Sequence, residues 1–239
     1  MKPTFLTANW RYLAMLNYEV DPAILAPRLP SGTELDDYKG RHFVSMVGFL
    51  FLDTHVLSLP AFFHQNFEEV NLRFYARRNV SGERRAGVVF LREMVPRPLV
   101  AEMAKLTYNE PYRTEPMQHT ILETSGELQS LEYQFGGPGE VCRITLHVES
   151  GLEALGAGSE EEFLSHRQWG YTRQRDGGTI EYRVEHPRWN IWPNTRWEID
   201  GPLRQFYDEP FATILHRGPT SAFIADGSHV SVHLPERIA

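Results

Sequence analysis

The sequence predicts a mainly β (α+β) fold, in which a large curved antiparallel β-barrel carries a few short helices. Most of the 239 residues fall into short runs of β-branched and aromatic side chains separated by Gly, Pro, Asn and Asp, a pattern typical of strands and turns. Only three segments carry helix-start signals. Twelve short strands in one chain favour a large barrel or sandwich.

The predicted strands alternate apolar and polar residues or consist of short apolar runs. They are Trp10–Glu19, His42–Asp53, Phe67–Arg78, Ala86–Val95, Met117–Thr124, Leu128–Phe135, Val141–Glu149, Thr179–Glu185, Arg196–Ile199, Thr213–Leu215, Ala222–Ala225 and His229–Leu234. Turn residues at Gly136–Gly139 and at Asp226–Gly227 predict two hairpins. Neighbouring strands are therefore expected to pair antiparallel.

Helix signals occur at three places. Asp21 followed by Pro22 supplies an N-cap residue and a proline at the first helical position. A second helix is predicted over Pro98–Leu106, and Ser159 with Glu162 forms the capping-box pattern that opens a third. The helices are expected to be short insertions in a β fold.

Length and composition restrict the class of protein. A chain of 239 residues permits one large domain, and strand-like runs continue past the small-residue segment Gly151–Gly158, so residues 1–239 are expected to form a single domain. The formal charge is −7, which disfavours binding to nucleic acid. The single cysteine, Cys142, excludes an intrachain disulfide and sites that need several thiolates.

Neither a secretion signal nor a membrane span is expected. Polar residues interrupt the apolar residues of the first twenty positions, so the pattern of a signal peptide is missing. The longest apolar candidate, Phe43–Leu52, is far shorter than the ~18 residues that a spanning helix needs. We therefore expect a cytoplasmic protein without nucleic-acid or membrane partners.

The strand around residues 67–75 carries one polar and one apolar face. Glu69, Asn71 and Arg73 share a face because they are two residues apart, and Val70 and Leu72 lie on the other. The polar row either faces solvent, as on a half-exposed strand, or forms the wall of a ligand cavity. In the second case Arg73 could bind a carboxylate through two donors, and Glu69 could act as an acid or base.

A second polar cluster, Lys105–Tyr112, follows the second predicted helix. It packs an amine, two phenols, an amide and a carboxyl group into eight positions. It is either part of a ligand site or a turn that ends the helix, in which Asn109 takes the left-handed conformation and Pro111 blocks continuation. The spacing does not decide between these alternatives.

Four segments carry a resemblance to a known family. They are Leu6–Arg11, the alternating run from Phe67 to Tyr75, Gly87–Phe90 and Tyr108–Tyr112. Together they resemble the bacterial YqjF-like family, a domain of unknown function, and more remotely the acetoacetate decarboxylase-like superfamily. The resemblance implies a strongly curved β-barrel with a central cavity.

The resemblance also implies which chemistry the chain lacks. The decarboxylases use a lysine Schiff base, and the proline before that lysine is similar to Pro111, so Tyr112 stands at the nucleophile position. Arg113 falls on the second lysine position and Lys105 on an arginine position, while the acidic residue of the family falls on Glu69. A phenol cannot form an imine, so Schiff-base decarboxylation is not expected.

We therefore expect a cavity that binds a small carboxylate or carbonyl compound and that supports lyase or isomerase acid/base chemistry. Its expected catalytic residues are Glu69 and Tyr112. The expected ligand-binding residues are Asn71, Arg73, Lys105, Tyr108, Asn109 and Glu110. The alternative is a non-catalytic ligand sensor or a structural homo-oligomer.

Neither a cofactor nor a metal is expected. His229 and His233 share a strand face but lie ~13 Å apart, which is too far for one metal ion. His147 and Glu149 could form a ligand pair, but the sequence offers them no third ligand.

Overall fold

The structure of the protein is a computed structural model that describes residues 2–61 and 63–238. Within these ranges a curved 13-stranded sheet is joined by a four-stranded sheet and short helices. The strands are β1 (Thr4–Val20), β2 (Glu34–Leu35), β3 (His42–Val56), β4 (Leu59–Pro60), β5 (Phe67–Val80), β6 (Glu83–Val95), β7 (Tyr112–Thr114), β8 (Met117–Thr124), β9 (Glu127–Phe135), β10 (Cys142–His147), β11 (Glu153–Ala154), β12 (Trp169–Arg173), β13 (Thr179–Glu185), β14 (Asn190–Trp192), β15 (Arg196–Asp200), β16 (Ser221–His233) and β17 (Glu236–Arg237). The α-helices are α1 (Pro22–Leu25), α2 (Pro98–Tyr108), α3 (Glu160–Ser165) and α4 (Phe211–His216).

The large sheet curves back on itself. Its strands follow the order β16, β1, β3, β5, β6, β12, β13, and β13 also pairs with β16 through Val184 and Val232. Long strands coil because every strand twists, and an irregularity in the β5–β6 register between Leu72 and Arg73 adds a local bend. The expected mainly β fold with a strongly curved sheet is confirmed, although β6 pairs with β7 and β12 in parallel, which was not expected.

The four-stranded sheet covers one face of the large sheet. On that side Val70, Leu72 and Phe74 of β5 belong to the same buried apolar cluster as Tyr133 of β9. The approach is close at Gly48 of β3, where an added Cβ would lie 2.7 Å from the Tyr133 ring. Glycine is therefore required at this position for the two sheets to pack.

The predicted helix starts are confirmed. The Asp21 side chain accepts a 2.8 Å hydrogen bond from the Ala23 amide, and Pro22 occupies the first helical position of α1. The Ser159 hydroxyl accepts a 3.1 Å hydrogen bond from the Glu162 amide at the start of α3. The hairpin at residues 136–139 is also confirmed, because β9 and β10 pair antiparallel on either side of it.

Three strand predictions are wrong. Thr213–Leu215 lies in α4, because a short apolar run in a core fits a buried helix as well as a strand. The segments 222–225 and 229–234 fall mainly in one strand, β16, so Asp226–Gly227 is not a hairpin. Gly227 instead sits inside the strand at φ +83°, where an added Cβ would meet the Trp10 carbonyl oxygen. The sequence patterns also omit β12 and the shorter strands β2, β4, β7, β11, β14 and β17.

The expectation of one domain over residues 1–239 stays a prediction, and Met1 and Ala239 lie outside the described residues. Among the residues that are described, no helix is long and apolar enough to cross a membrane.

Candidate functional site

A cavity of about 310 Å³ lies within the curve of the large sheet, a volume within the usual range of ligand pockets. Each of the seven strands in the run from β16 to β13 contributes to its lining. One such residue from each strand, in that order, is Val232, Trp10, Phe49, Glu69, Phe90, Gly170 and Tyr182. Helix α2 adds residues at the side of the cavity.

The polar row of β5 faces this cavity. Phe67, Glu69, Asn71 and Arg73 all line it, as the two-residue repeat of a strand requires. Glu69 and Asn71 are 2% exposed and Arg73 is 7% exposed. The solvent-facing alternative for this row is therefore excluded.

Three buried carboxyl groups meet in the cavity: Glu69, Glu110 and Glu93. Glu93 lies on β6 directly opposite Asn71 of β5. A carboxylate pays a large desolvation cost in such surroundings unless partners compensate it. Burial therefore favours the neutral, protonated form of these three groups.

Two phenols and an amide partner these carboxyl groups. Tyr112 Oη donates to Glu69 Oε2 at 3.1 Å, and Asn71 Nδ2 donates to Glu69 Oε1 at 3.0 Å. Tyr182 Oη donates to Glu110 Oε1, whereas Oε2 of Glu93 is buried without a hydrogen-bond partner. Glu69 is therefore held by two donors, while one carboxyl oxygen of Glu93 has none among the described residues.

Burial keeps the protons on this cluster. Desolvation raises the pKa of Glu69 to about 7, even though Asn71, Tyr112 and Arg73 favour its ionised form. Desolvation also raises the pKa of Glu110 to about 8. It raises the pKa of Glu93 well above its ordinary value, with further repulsion from Glu110 and Glu69. Near neutral pH the cluster can both donate and accept protons, the arrangement that acid/base catalysis needs.

Two arginines line the cavity and differ in their partners. Arg167 Nη1 lies 2.6 Å from Asp36 Oδ2, so a buried carboxylate neutralises its charge. Arg73 Nη2 donates to the Leu164 carbonyl at 3.2 Å, and its Nε is buried without a partner. Across residues 2–61 and 63–238, no carboxylate lies within ion-pair distance of the Arg73 guanidinium. Arg73 is therefore the cationic group available to a ligand.

Tyr108 also lines the cavity, where its hydroxyl donates to the His233 carbonyl at 3.2 Å. Its ring packs edge to face against Tyr182, with 4.7 Å between the ring centroids. Tyr108 is thus placed in the cavity as expected, but its hydroxyl is already used by the backbone.

Lys105 and Asn109 do not line the cavity, contrary to expectation. The α2 face that meets the cavity carries Leu99, Val100 and Met103. Lys105 points elsewhere and its Nζ pairs with Glu102 Oε1 at 2.7 Å. Asn109 ends the helix in the left-handed conformation at φ 58°, and its side chain donates to the Arg173 carbonyl. The helix-ending alternative is therefore correct for Asn109.

Sequence reasoning missed Glu93, Tyr182 and Arg167. Glu93 and Tyr182 lie in predicted strands, but alternation within a strand does not show that their faces meet the face of Glu69. The register that brings Glu93 opposite Asn71 includes the irregularity beside Arg73, which no sequence pattern shows. The signal that the sequence offers is Glu93 itself, a glutamate within the mostly apolar predicted strand Ala86–Val95.

No lysine reaches the cavity. Lys2, Lys39 and Lys105 are the only lysines of the chain, and none of them lines it. Among the described residues, no three His, Cys, Asp or Glu side chains are grouped as metal ligands.

Solved structures show the same fold. The chain is similar to an acetoacetate decarboxylase from Legionella pneumophila subsp. pneumophila str. Philadelphia 1, with 13% identity, 98% of this chain and 87% of that chain covered, and a TM-score of 0.66. It is similar to an acetoacetate decarboxylase-like enzyme from Sphingomonas wittichii RW1, with 15% identity, coverages of 99% and 94%, and a TM-score of 0.65. It is also similar to the enduracididine biosynthesis enzyme MppR complexed with pyruvate, with 12% identity, coverages of 100% and 91%, and a TM-score of 0.67.

At these identities the likeness concerns the fold alone, and it confirms the expected acetoacetate decarboxylase-like architecture. No curated protein matches the chain in sequence. A family model described as "Uncharacterized conserved protein (COG2071)" matches residues 7–229. The chain therefore belongs to the DUF2071 family.

Proposed function

We propose that the protein binds a small 2-oxo acid or related carboxylate in the cavity and moves a proton on it, in the manner of an isomerase or a lyase. The proposal depends on one observation: within the part of the chain that the structure describes, the buried Arg73 guanidinium has no carboxylate within ion-pair distance. A buried guanidinium without a carboxylate partner is costly, and a bound carboxylate would supply the missing charge through charge-assisted hydrogen bonds.

The carboxyl cluster supports the proton-transfer half of the proposal. Glu69 lies on the same strand face as Arg73, and its pKa of about 7 suits a general base at neutral pH. It would take a proton from the carbon next to the ligand carbonyl. The electrons of that C–H bond move into a new carbon–carbon double bond, and the carbonyl π electrons move onto the oxygen.

The resulting enolate oxygen needs a donor. Tyr112 and the protonated carboxyl groups of Glu93 and Glu110 line the cavity and could donate to this oxygen. Hydrogen bonds placed where charge develops stabilise such an intermediate most in a site shielded from water. Returning the proton to a different atom completes an isomerisation.

Schiff-base decarboxylation is not expected, because the resemblance puts Tyr112 at the position of the nucleophilic lysine and no lysine lines the cavity. The MppR structure with pyruvate supports the choice of ligand class, since it places a 2-oxo acid in a protein of this fold.

Deuterium exchange at C3 of pyruvate, followed by proton NMR in D₂O, tests the proposal. We expect exchange that is catalysed by the wild-type protein and lost in Glu69→Gln, with pyruvate binding retained. Binding without exchange would favour the sensor, and no binding of any short carboxylate would favour a structural role.

A further inference from the structure

The cavity has a polar end and an aromatic end along β5. Arg73, Asn71, Glu69 and Phe67 line it at every second position. At about 3.3 Å per residue, Arg73 and Phe67 are ~20 Å apart along the strand. A ligand held at Arg73 with its reacting carbon near Glu69 would therefore extend towards Phe67.

Aromatic rings form the end at Phe67. Phe67 stacks on Phe51, with centroids 4.7 Å apart and the planes at 12°. Trp10 meets Phe51 and Phe49 edge to face, with centroid distances of 5.6 Å and 5.2 Å. Such a surface gains free energy by burying apolar groups and rings.

Near Phe67 the cavity wall is also apolar where it meets the solvent. Leu59 and Leu99 both line the cavity and are 69% and 56% exposed. Val56 of β3 lines the cavity beside them and pairs with Leu59 of β4. Thr54 and His64 are polar residues that line the cavity in this region.

The volume exceeds the needs of the shortest acids. A water molecule occupies about 30 Å³ of liquid, so a cavity of about 310 Å³ has room for a ligand much larger than a three-carbon acid. A three-carbon acid bound at Arg73 would leave the aromatic end to water. Apolar surface beside trapped water gives little affinity, whereas an apolar group there would displace it.

We infer that the natural ligand is a carboxylic acid with an apolar tail, an aryl ring or an extended alkyl chain, which lies against Phe67, Phe51 and Trp10. This inference rests on the proposed function, because Arg73 fixes the carboxylate and thereby the direction of the tail. It adds the substrate class: 2-oxo acids with long alkyl or aryl side chains rather than pyruvate itself.

A homologous series of ligands tests the inference by calorimetry. The series runs from pyruvate through 2-oxopentanoate and 2-oxohexanoate to 2-oxooctanoate, with phenylpyruvate as the aryl member. We expect the dissociation constant to fall roughly fourfold per added methylene, which corresponds to about 0.8 kcal/mol per buried CH₂. Phenylpyruvate should bind at least as tightly as 2-oxohexanoate.

Val56→Trp is the matched variant, because a larger side chain there would fill the apolar end and leave Arg73 and Glu69 untouched. It should abolish the gain with tail length and leave the pyruvate constant within twofold. Phe51→Ala serves as a second variant and should weaken the long acids selectively. Leu122→Trp, on an exposed position of β8, controls for the added indole.

The outcomes separate the two proposals. Affinity that depends on Arg73 but does not rise with tail length would overturn this inference and leave the proposed function. Equal affinity for long acids and their methyl esters would overturn the carboxylate role of Arg73 and leave the apolar subsite. Absence of binding by every member of the series would overturn both.

Discussion

Tyr112 Oη donates a 3.1 Å hydrogen bond to Glu69 Oε2 inside the cavity. By its resemblance to the decarboxylases, Tyr112 stands where that family carries its lysine nucleophile. In this chain the phenol orients a carboxyl and favours its ionised form. The proposed chemistry therefore differs from a Schiff-base mechanism at this pair.

Tyr112→Phe should raise the pKa of Glu69 above its value of about 7, because the lost hydrogen bond stabilises the carboxylate. Carbon-detected NMR titration of the glutamate carboxyls measures this shift. Tyr108→Phe is the matched control, since that hydroxyl donates to a backbone carbonyl. An unchanged Glu69 pKa in Tyr112→Phe would show that the phenol has no influence on the carboxyl.

Arg73→Ala should weaken the binding of short 2-oxo acids by roughly 2–5 kcal/mol, the range for truncating one partner of a desolvated charge pair. Calorimetric titration measures the difference. Arg204→Ala is the control, because its side chain is 71% exposed and its contact with Glu209 is a surface ion pair. Equal losses in both variants would mean that general surface charge attracts the ligand.

The carboxyl cluster should make the protein less stable as the pH rises. The pKa values of Glu69, Glu110 and Glu93 are raised in the folded state, so the folded chain binds more protons than the unfolded chain between about pH 4.5 and pH 8. The contribution of these groups to the free energy of unfolding is therefore greatest below pH 4.5 and falls through that window.

Glu93→Gln should flatten this fall and stabilise the protein at pH 8, because the amide cannot ionise in a site that holds one unpartnered carboxyl oxygen. Urea unfolding at pH 5.5 and pH 8 measures both effects. Glu102→Gln, on the exposed side of α2, is the control. A steeper fall in Glu93→Gln would contradict the assignment of the raised pKa.

Borohydride treatment in the presence of acetoacetate should leave the protein unmodified, because an imine requires an amine and no lysine is among the described residues that line the cavity. Intact mass spectrometry reads the result. Lys105→Arg keeps the charge beside Glu102 and identifies any reaction at Lys105. A reduced adduct on wild type that disappears in this variant would show that Lys105 reaches the substrate.

Local sequence patterns were sufficient to predict part of this structure. Two-residue alternation put Glu69, Asn71 and Arg73 on one face, because the strand backbone alone sets that period. Capping chemistry located the starts of α1 and α3 for the same reason. The expected mainly β architecture followed from the repeated pattern of short runs and turn residues.

Tertiary structure decided what surrounds those residues. Whether the polar row of β5 met water or a cavity depended on seven strands that close around it, and Glu93 joined the site through a register that local sequence does not encode. Asn109 was excluded by its place at the end of α2, and Lys105 by the face of α2 from which it projects. Strand pairing joins residues that are far apart in the chain. The sequence alone therefore determined which side chains share a strand face. The fold determined which residues surround those side chains, how deeply they are buried and hence their pKa values.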